Sequence, residues 1–98
     1  MSEQLDDESV SPAAARAGLA QFERAVRAHY GDRVKGIFLF GSRARGDARP
    51  DSDADVVVVL ADGPWSFWSE LRVLADLAYE PLIAEGIAIH PWPISRSA

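Results

Sequence analysis

Gly41-Ser42-Arg43-Ala44-Arg45-Gly46-Asp47, followed by Asp51-Ser52-Asp53-Ala54-Asp55-Val56-Val57-Val58, is the stretch whose reading decides the fold. Its second half begins with carboxylates at alternate positions and runs into a valine-rich core that continues to Leu60. An unbroken β-branched run of this kind predicts a strand, Asp53 to Leu60, at the centre of a sheet. Ahead of the first half, Val34 to Phe40 is rich in β-branched and aromatic residues, too short for a typical helix, and ends abruptly at Gly41. It reads as strand one, buried on both faces. Between the strands, Ser42 to Ser52 is polar and punctuated by Gly46 and Pro50, which predicts a loop carrying one helical turn after Ser42.

Working outward, Ser11-Pro12 is a helix start, with serine as N-cap and proline at the first helical position. Leu19, Phe22, Val26 and Tyr30 recur at helical spacing, so helix one is expected over Pro12 to His29, stopping at Gly31. After the Asp62-Gly63-Pro64 break, Phe67, Leu71, Leu74, Leu77 and Ala78 mark a second amphipathic helix from Ser66. Pro81 removes a backbone donor and crowds the preceding turn, so this helix should end or kink near Tyr79 and resume to Glu85, with Gly86 closing it. Ile87 to Trp92 is the third strand, which Pro91 and Pro93 confine to a sheet edge. Trp65, Phe67 and Trp68 exceed what one helical face needs. One or two belong to the core, and the remainder, with Trp92, to a subunit or partner surface.

The chemistry sits where the two strands meet the loop. Glycine at a strand end lets the backbone pass close to a ligand. If Ser42 opens a helical turn, its free N–H groups and hydroxyl suit a phosphate, although strand-to-glycine turns are common for purely structural reasons. Asp53 and Asp55, two apart on a strand, point to one face. Two adjacent carboxylates repel and a hard cation such as Mg²⁺ relieves them; the plainer alternative is a strand that starts from a solvated loop. Arg43 reads equally as a phosphate contact and as a partner of Asp47 or Asp51, while Arg45 and Arg49 read as structural.

Composition narrows the rest. Ninety-eight residues that are 48% hydrophobic make one compact domain, expected at 12–98 behind a flexible acidic tail at 1–11. Ten basic against fifteen acidic residues, a net charge of −5, disfavour non-specific binding to nucleic acid or to an anionic membrane. The absence of cysteine removes disulfides and thiolate metal sites and fits a reducing cytoplasm. The acidic start has no signal-peptide pattern, and no apolar run approaches the roughly 20 residues of a membrane span.

The Gly41 to Asp47 and Asp51 to Val58 segments together resemble the minimal nucleotidyltransferase domains of the DNA polymerase β-like superfamily, and the order of helices and strands agrees over about residues 12 to 94. The resemblance implies an α+β fold, a mixed three- to four-stranded sheet with helices packed on one face. It implies a site in which Gly41 and Ser42 bind a nucleoside triphosphate, ATP foremost, and Asp53 and Asp55 bind Mg²⁺. The implied reaction is transfer of a nucleoside monophosphate to a hydroxyl. Short members often pair with a helical HEPN-type ribonuclease toxin, some of them adding AMP to its tyrosine; an antitoxin role and a homo- or hetero-oligomer are therefore expected, with another subunit completing the cleft.

One departure matters. Active members carry a third carboxylate on the next core strand, and here no Asp or Glu follows Glu85. The third strand offers only His90, readable as a general base or as a surface residue, while Glu85 is readable as a reaching carboxylate or a solvated helix end. Binding of nucleotide and metal is thus better supported than turnover. The rival expectation is a catalytically impaired module that binds and masks its partner.

Overall fold

A computed structural model of the chain describes residues 11–41 and 53–97. The acidic tail before Ser11, and the loop bearing Ser42, Arg43, Arg45, Asp47, Arg49 and Asp51, lie outside the described residues. Helix α1 spans Pro12–Tyr30. Ser11 caps it, its hydroxyl accepting from the Ala14 N–H at 3.1 Å, and Gly31 ends it at φ 58°. Strand β1 (Val34–Phe40) follows a single 3-10 turn, then β2 (Ala54–Leu60), α2 (Phe67–Leu77), α3 (Tyr79–Glu85) and β3 (Ile89–Ser95).

The break between α2 and α3 has the cause expected from Pro81. As the third residue of α3 it falls in the first turn, where a missing N–H costs nothing, whereas a helix running through from α2 would need that donor. Ala78 serves both helices, accepting from Leu82 and donating to Leu74, and Gly86 closes α3 in the left-handed region at φ 77°.

Among the described residues the sheet has three strands in the order β1-β2-β3, with β1 antiparallel and β3 parallel to the central β2. Burial along β2 alternates without exception: Ala54, Val56, Val58 and Leu60 are buried and the residues between them are not. The buried set packs with Ala15, Phe22, Val26 and Tyr30 of α1 and with Leu74 of α2, so the helices cover one face. Fully burying a Phe22 or a Leu74 contributes about 1.5–3 kcal/mol. On β1 the register slips between Val34 and Gly36, a bulge with Lys35 as the extra residue. The slip lets Val34, opposite Leu60, and Ile37, opposite Val58, both face the helices although they are three positions apart.

Two expectations about the strands change. Strand β1 is not buried on both faces: Phe38 is 57% exposed, and Leu39 and Phe40 are exposed as well. Among the described residues it is an outer strand, and no helix covers the other face of the sheet. The third strand begins at Ile89 rather than Ile87 and runs on to Ser95. Ile87 instead fills the core beside Gly18 of α1. The prolines of β3 do sit at an edge. The Ala88 carbonyl accepts from Ala54 and the Arg96 N–H donates to Leu60, so even-numbered residues face β2 and Pro91 and Pro93 turn their nitrogens outward. Of the helix-start aromatics, Trp65 packs against the core with its indole N–H donating to the Ala61 carbonyl at 3.1 Å. Phe67 and Trp68 meet edge to face and are exposed, Trp68 by 73%. Among the described residues no helix is long and apolar enough to cross a membrane.

Candidate functional site

The alternation that sends Ala54 and Val56 into the core sends Asp55 to the open face of the sheet. In the register, Asp55 lies between Phe40 of β1 and His90 of β3. Aligned residues on neighbouring strands share a face, so Phe40, Asp55 and His90 form one row across the sheet. The next row is Phe38, Val57 and Trp92, an apolar floor beside the polar row.

The turn at the end of β1 closes on this row. Gly41 has φ 78°, and a Cβ placed on it would lie 2.9 Å from Oδ2 of Asp55. The backbone therefore passes the carboxylate at a distance that a side chain would fill. From the other side, His90 places Nε2 at 3.1 Å from Oδ2 of Asp53 and Nδ1 at 3.9 Å from Oδ1 of Asp55. The first is well within ion-pairing distance and the second lies at its outer limit. His90 and Asp53 are exposed and Asp55 is partly buried, so the Asp53–His90 contact contributes at most about 1 kcal/mol.

The structure thus brings Gly41, Asp53, Asp55 and His90 together. Ser42 and Arg43 are outside the described residues. Glu85 is elsewhere, at the C-terminal end of α3 with its Cβ beside Gly18, on the helical side of the sheet. Reading the sequence alone missed two things: that His90 stands opposite Asp55, and that Phe40 shares its face. The two-residue period of Phe38 and Phe40 carried a signal for the second. Nothing local carried the first, because a parallel register is set by the crossover through α2 and α3.

Two carboxylates aimed at one side of a strand end, open to solvent, are a donor set that fits a hard divalent cation. Among the described residues no three His, Cys, Asp or Glu side chains converge as a preformed ligand cluster. This agrees with the imidazole lying between the carboxylates and showing each a different nitrogen.

A helix-backed mixed sheet with a glycine turn closing on an Asp-x-Asp strand end is the architecture of the nucleotidyltransferases. Residues 19–94 match the nucleotidyltransferase domain family, and the chain belongs to that family as a minimal nucleotidyltransferase domain. It is 44% identical over 72 residues to one protein of Methanocaldococcus jannaschii and 36% identical over 73 residues to another, each named "putative protein adenylyltransferase". Each alignment takes in 74% of this chain, but 65% of the first relative and 50% of the second. The chain therefore spans about half to two-thirds of the curated relatives it matches. Among solved structures, the Elizabethkingia meningoseptica cyclic dinucleotide synthase CdnE, determined with GTP and Apcpp, shares the fold at a TM-score of 0.63. That likeness covers 84% of this chain and 37% of the synthase at 22% identity.

Proposed function

We propose that residues 12–98 form a unit that transfers a nucleotidyl group, AMP foremost, from a nucleoside triphosphate to a hydroxyl on a protein acceptor. The observation that carries this reading is the approach of the Gly41 backbone to Asp55, which joins the glycine turn and the Asp-x-Asp pair into one site. Gly41 and Ser42, with Arg43, hold the triphosphate; Asp53 and Asp55 hold a divalent cation, Mg²⁺ by family resemblance. When bound, such a cation neutralises charge on the triphosphate and on the leaving group.

The chain's own residues position the reactants. In the reaction the acceptor oxygen bonds to the α-phosphorus, the bond from that phosphorus to the bridging oxygen breaks, and pyrophosphate leaves. The hydroxyl proton passes to the polar row, where Asp53, Asp55 and His90 are the groups at hand. The apolar floor of Phe38, Val57 and Trp92 provides the adjoining surface on which an acceptor protein can rest. The names of the Methanocaldococcus proteins support protein as the acceptor, and a HEPN-type partner, an antitoxin role and a cytoplasmic setting are the corresponding biological proposal.

Incubation with α-labelled ATP, a divalent cation and the partner encoded beside this chain tests the reading. Label should pass to the partner and be abolished by Asp53→Ala with Asp55→Ala. A second reading, a binding module that masks its partner without turnover, draws on the absence of any Asp or Glu after Glu85. A stable complex that forms without label transfer, and survives the double substitution, would establish that reading in place of the first.

A further inference from the structure

Trp68 takes no part in the site, and the surface it begins continues along α2 and α3. Trp68, Arg72, Ala75, Tyr79 and Leu82 recur at alternating steps of four and three residues, and all five are exposed. That spacing is the seam of one helix packed lengthwise on another. Ala78 keeps helical dihedrals at the junction, φ −80° and ψ −9°, so the seam carries across the break between the helices. Tyr79 is 59% and Ile83 65% exposed, and Phe67 meets Trp68 edge to face at the start. These side chains, with Leu82, leave on the order of 600 Å² in water, the upper end of what a single chain exposes in one patch.

The seam holds both a knob and a socket. Trp68 stands at its start. About 10–15 Å farther along, at about 1.5 Å per residue, Ala75, Ala78 and Ala88 leave an open hollow of about 410 Å³ that Tyr79, Leu82 and Ile89 wall in. A second copy laid antiparallel, with the two-fold axis at the level of residues 72 to 74, brings each Trp68 to the other copy's hollow. The same operation sets Arg72 of each copy beside Asp76 of the other, so unlike charges meet twice. Knob, socket and both charges lie on one face of one chain, as a two-fold interface requires.

We infer that α2 and α3 form a two-fold interface between copies of this chain, with Trp68 of each copy seated among Ala75, Ala78 and Ala88 of the other. About 600 Å² per copy is somewhat less than the roughly 800 Å² of a standard stable interface, so the dimer is reversible and assembles at micromolar concentration. The net charge of −5 opposes self-association. At physiological ionic strength that repulsion is screened beyond about 8 Å, and contact across the seam decides. The socket backs onto the site: Ile89 precedes His90, and the Ala88 carbonyl accepts from the Ala54 N–H, between the two aspartates, at 2.9 Å. Dimerisation therefore braces the strand ends that carry Asp53, Asp55 and His90, from the helical side, and leaves the open face of the sheet uncovered.

Sedimentation equilibrium of the full chain at physiological ionic strength is the test. The parent chain is expected to pass from monomer to dimer across the micromolar range. Trp68→Ala should weaken assembly about tenfold or more, and Ala75→Glu, which places a charge in the socket, should do the same. Both positions are exposed, so the variants keep the fold, which circular dichroism verifies. Arg72→Asp should weaken the dimer through its repulsion of Asp76 on the other copy. Adding Asp76→Arg to that variant should restore most of the loss, as exchange of a pair within one chain would not. A parent chain that stays monomeric throughout the range overturns the proposal and leaves this face to a different protein. A dimer indifferent to Trp68→Ala and Ala75→Glu overturns the placement of the interface on α2 and α3, and a charge exchange that restores nothing overturns the antiparallel pairing.

Discussion

Gly41 and Asp55 are so close that one methyl group separates a working turn from a blocked one: a Cβ on Gly41 would stand 2.9 Å from the Asp55 Oδ2. The φ of 78° at Gly41 adds the cost of a left-handed conformation, about 1–2 kcal/mol for a residue with a side chain. Gly41→Ala is therefore expected to move the turn away from the carboxylate. A displacement on the order of 1 Å lowers transfer by about 100-fold. Single-turnover transfer of labelled nucleotide, compared with urea denaturation of the same variant, separates this loss from simple unfolding.

Gly18 sets how closely α1 approaches the chain entering β3. A Cβ there would overlap the Ile87 γ2-methyl, which is fully buried and has nowhere to move. Overpacking of this kind costs about 1–3 kcal/mol, against about 1 kcal/mol that alanine regains in helix propensity. Gly18→Ala should thus lower stability by roughly 1 kcal/mol. Combining it with Ile87→Ala, which removes the obstructing γ2-methyl, should cost less than the sum of the two single changes in a denaturation cycle.

Tyr30 makes alkaline stability measurable. Its phenol is buried and donates to Glu70 Oε1 at 2.7 Å, with Arg33 stacked 5.1 Å from the ring centroid. Burial first, then the hydrogen bond and the charge of Glu70, push its pKa well above the usual tyrosine value, and Arg33 offsets only part of this. The folded chain therefore holds this proton more tightly than the unfolded chain. That contribution is complete below about pH 10, the pKa of an unperturbed tyrosine, and is lost as pH rises above it. Thermal melts should show stability declining above about pH 10, and Tyr30→Phe should flatten that decline.

The Lys35 bulge is open to a direct test by deletion. With Lys35 removed, Val34 and Ile37 stand two positions apart, so plain alternation keeps both facing the helices in the present register. The deletion should therefore leave the urea midpoint nearly unchanged. A fall equivalent to exposing one aliphatic side chain, about 1.5–3 kcal/mol, would show that the bulge itself is needed to hold the strand in place.

What was legible in the sequence follows from how local each cause is. Ser11, Gly31, Pro81 and Gly86 act through their own dihedrals and missing or added hydrogen bonds, so helix bounds came within a residue or two of those observed. The valine run placed β2 at the centre because burial on both edges demands such residues. Phe38 and Phe40 were misjudged as doubly buried because an apolar strand looks the same whether its second face is packed or left open. At the site, Asp53 and Asp55 were legible through their two-residue spacing. Their meeting with His90 was not, since His90 lies 35 positions beyond Asp55 and only the parallel register aligns them.

The outward-turned nitrogens of Pro91 and Pro93 give the sheet a handed capacity for growth. A strand arriving beside β3 would find no N–H at either position, whereas β1 carries no proline. Among the described residues, strand addition from another molecule is therefore directed to β1. Because β1 leads straight into Gly41, a strand added there would run up to the turn that closes on Asp55 and would hold that turn in place.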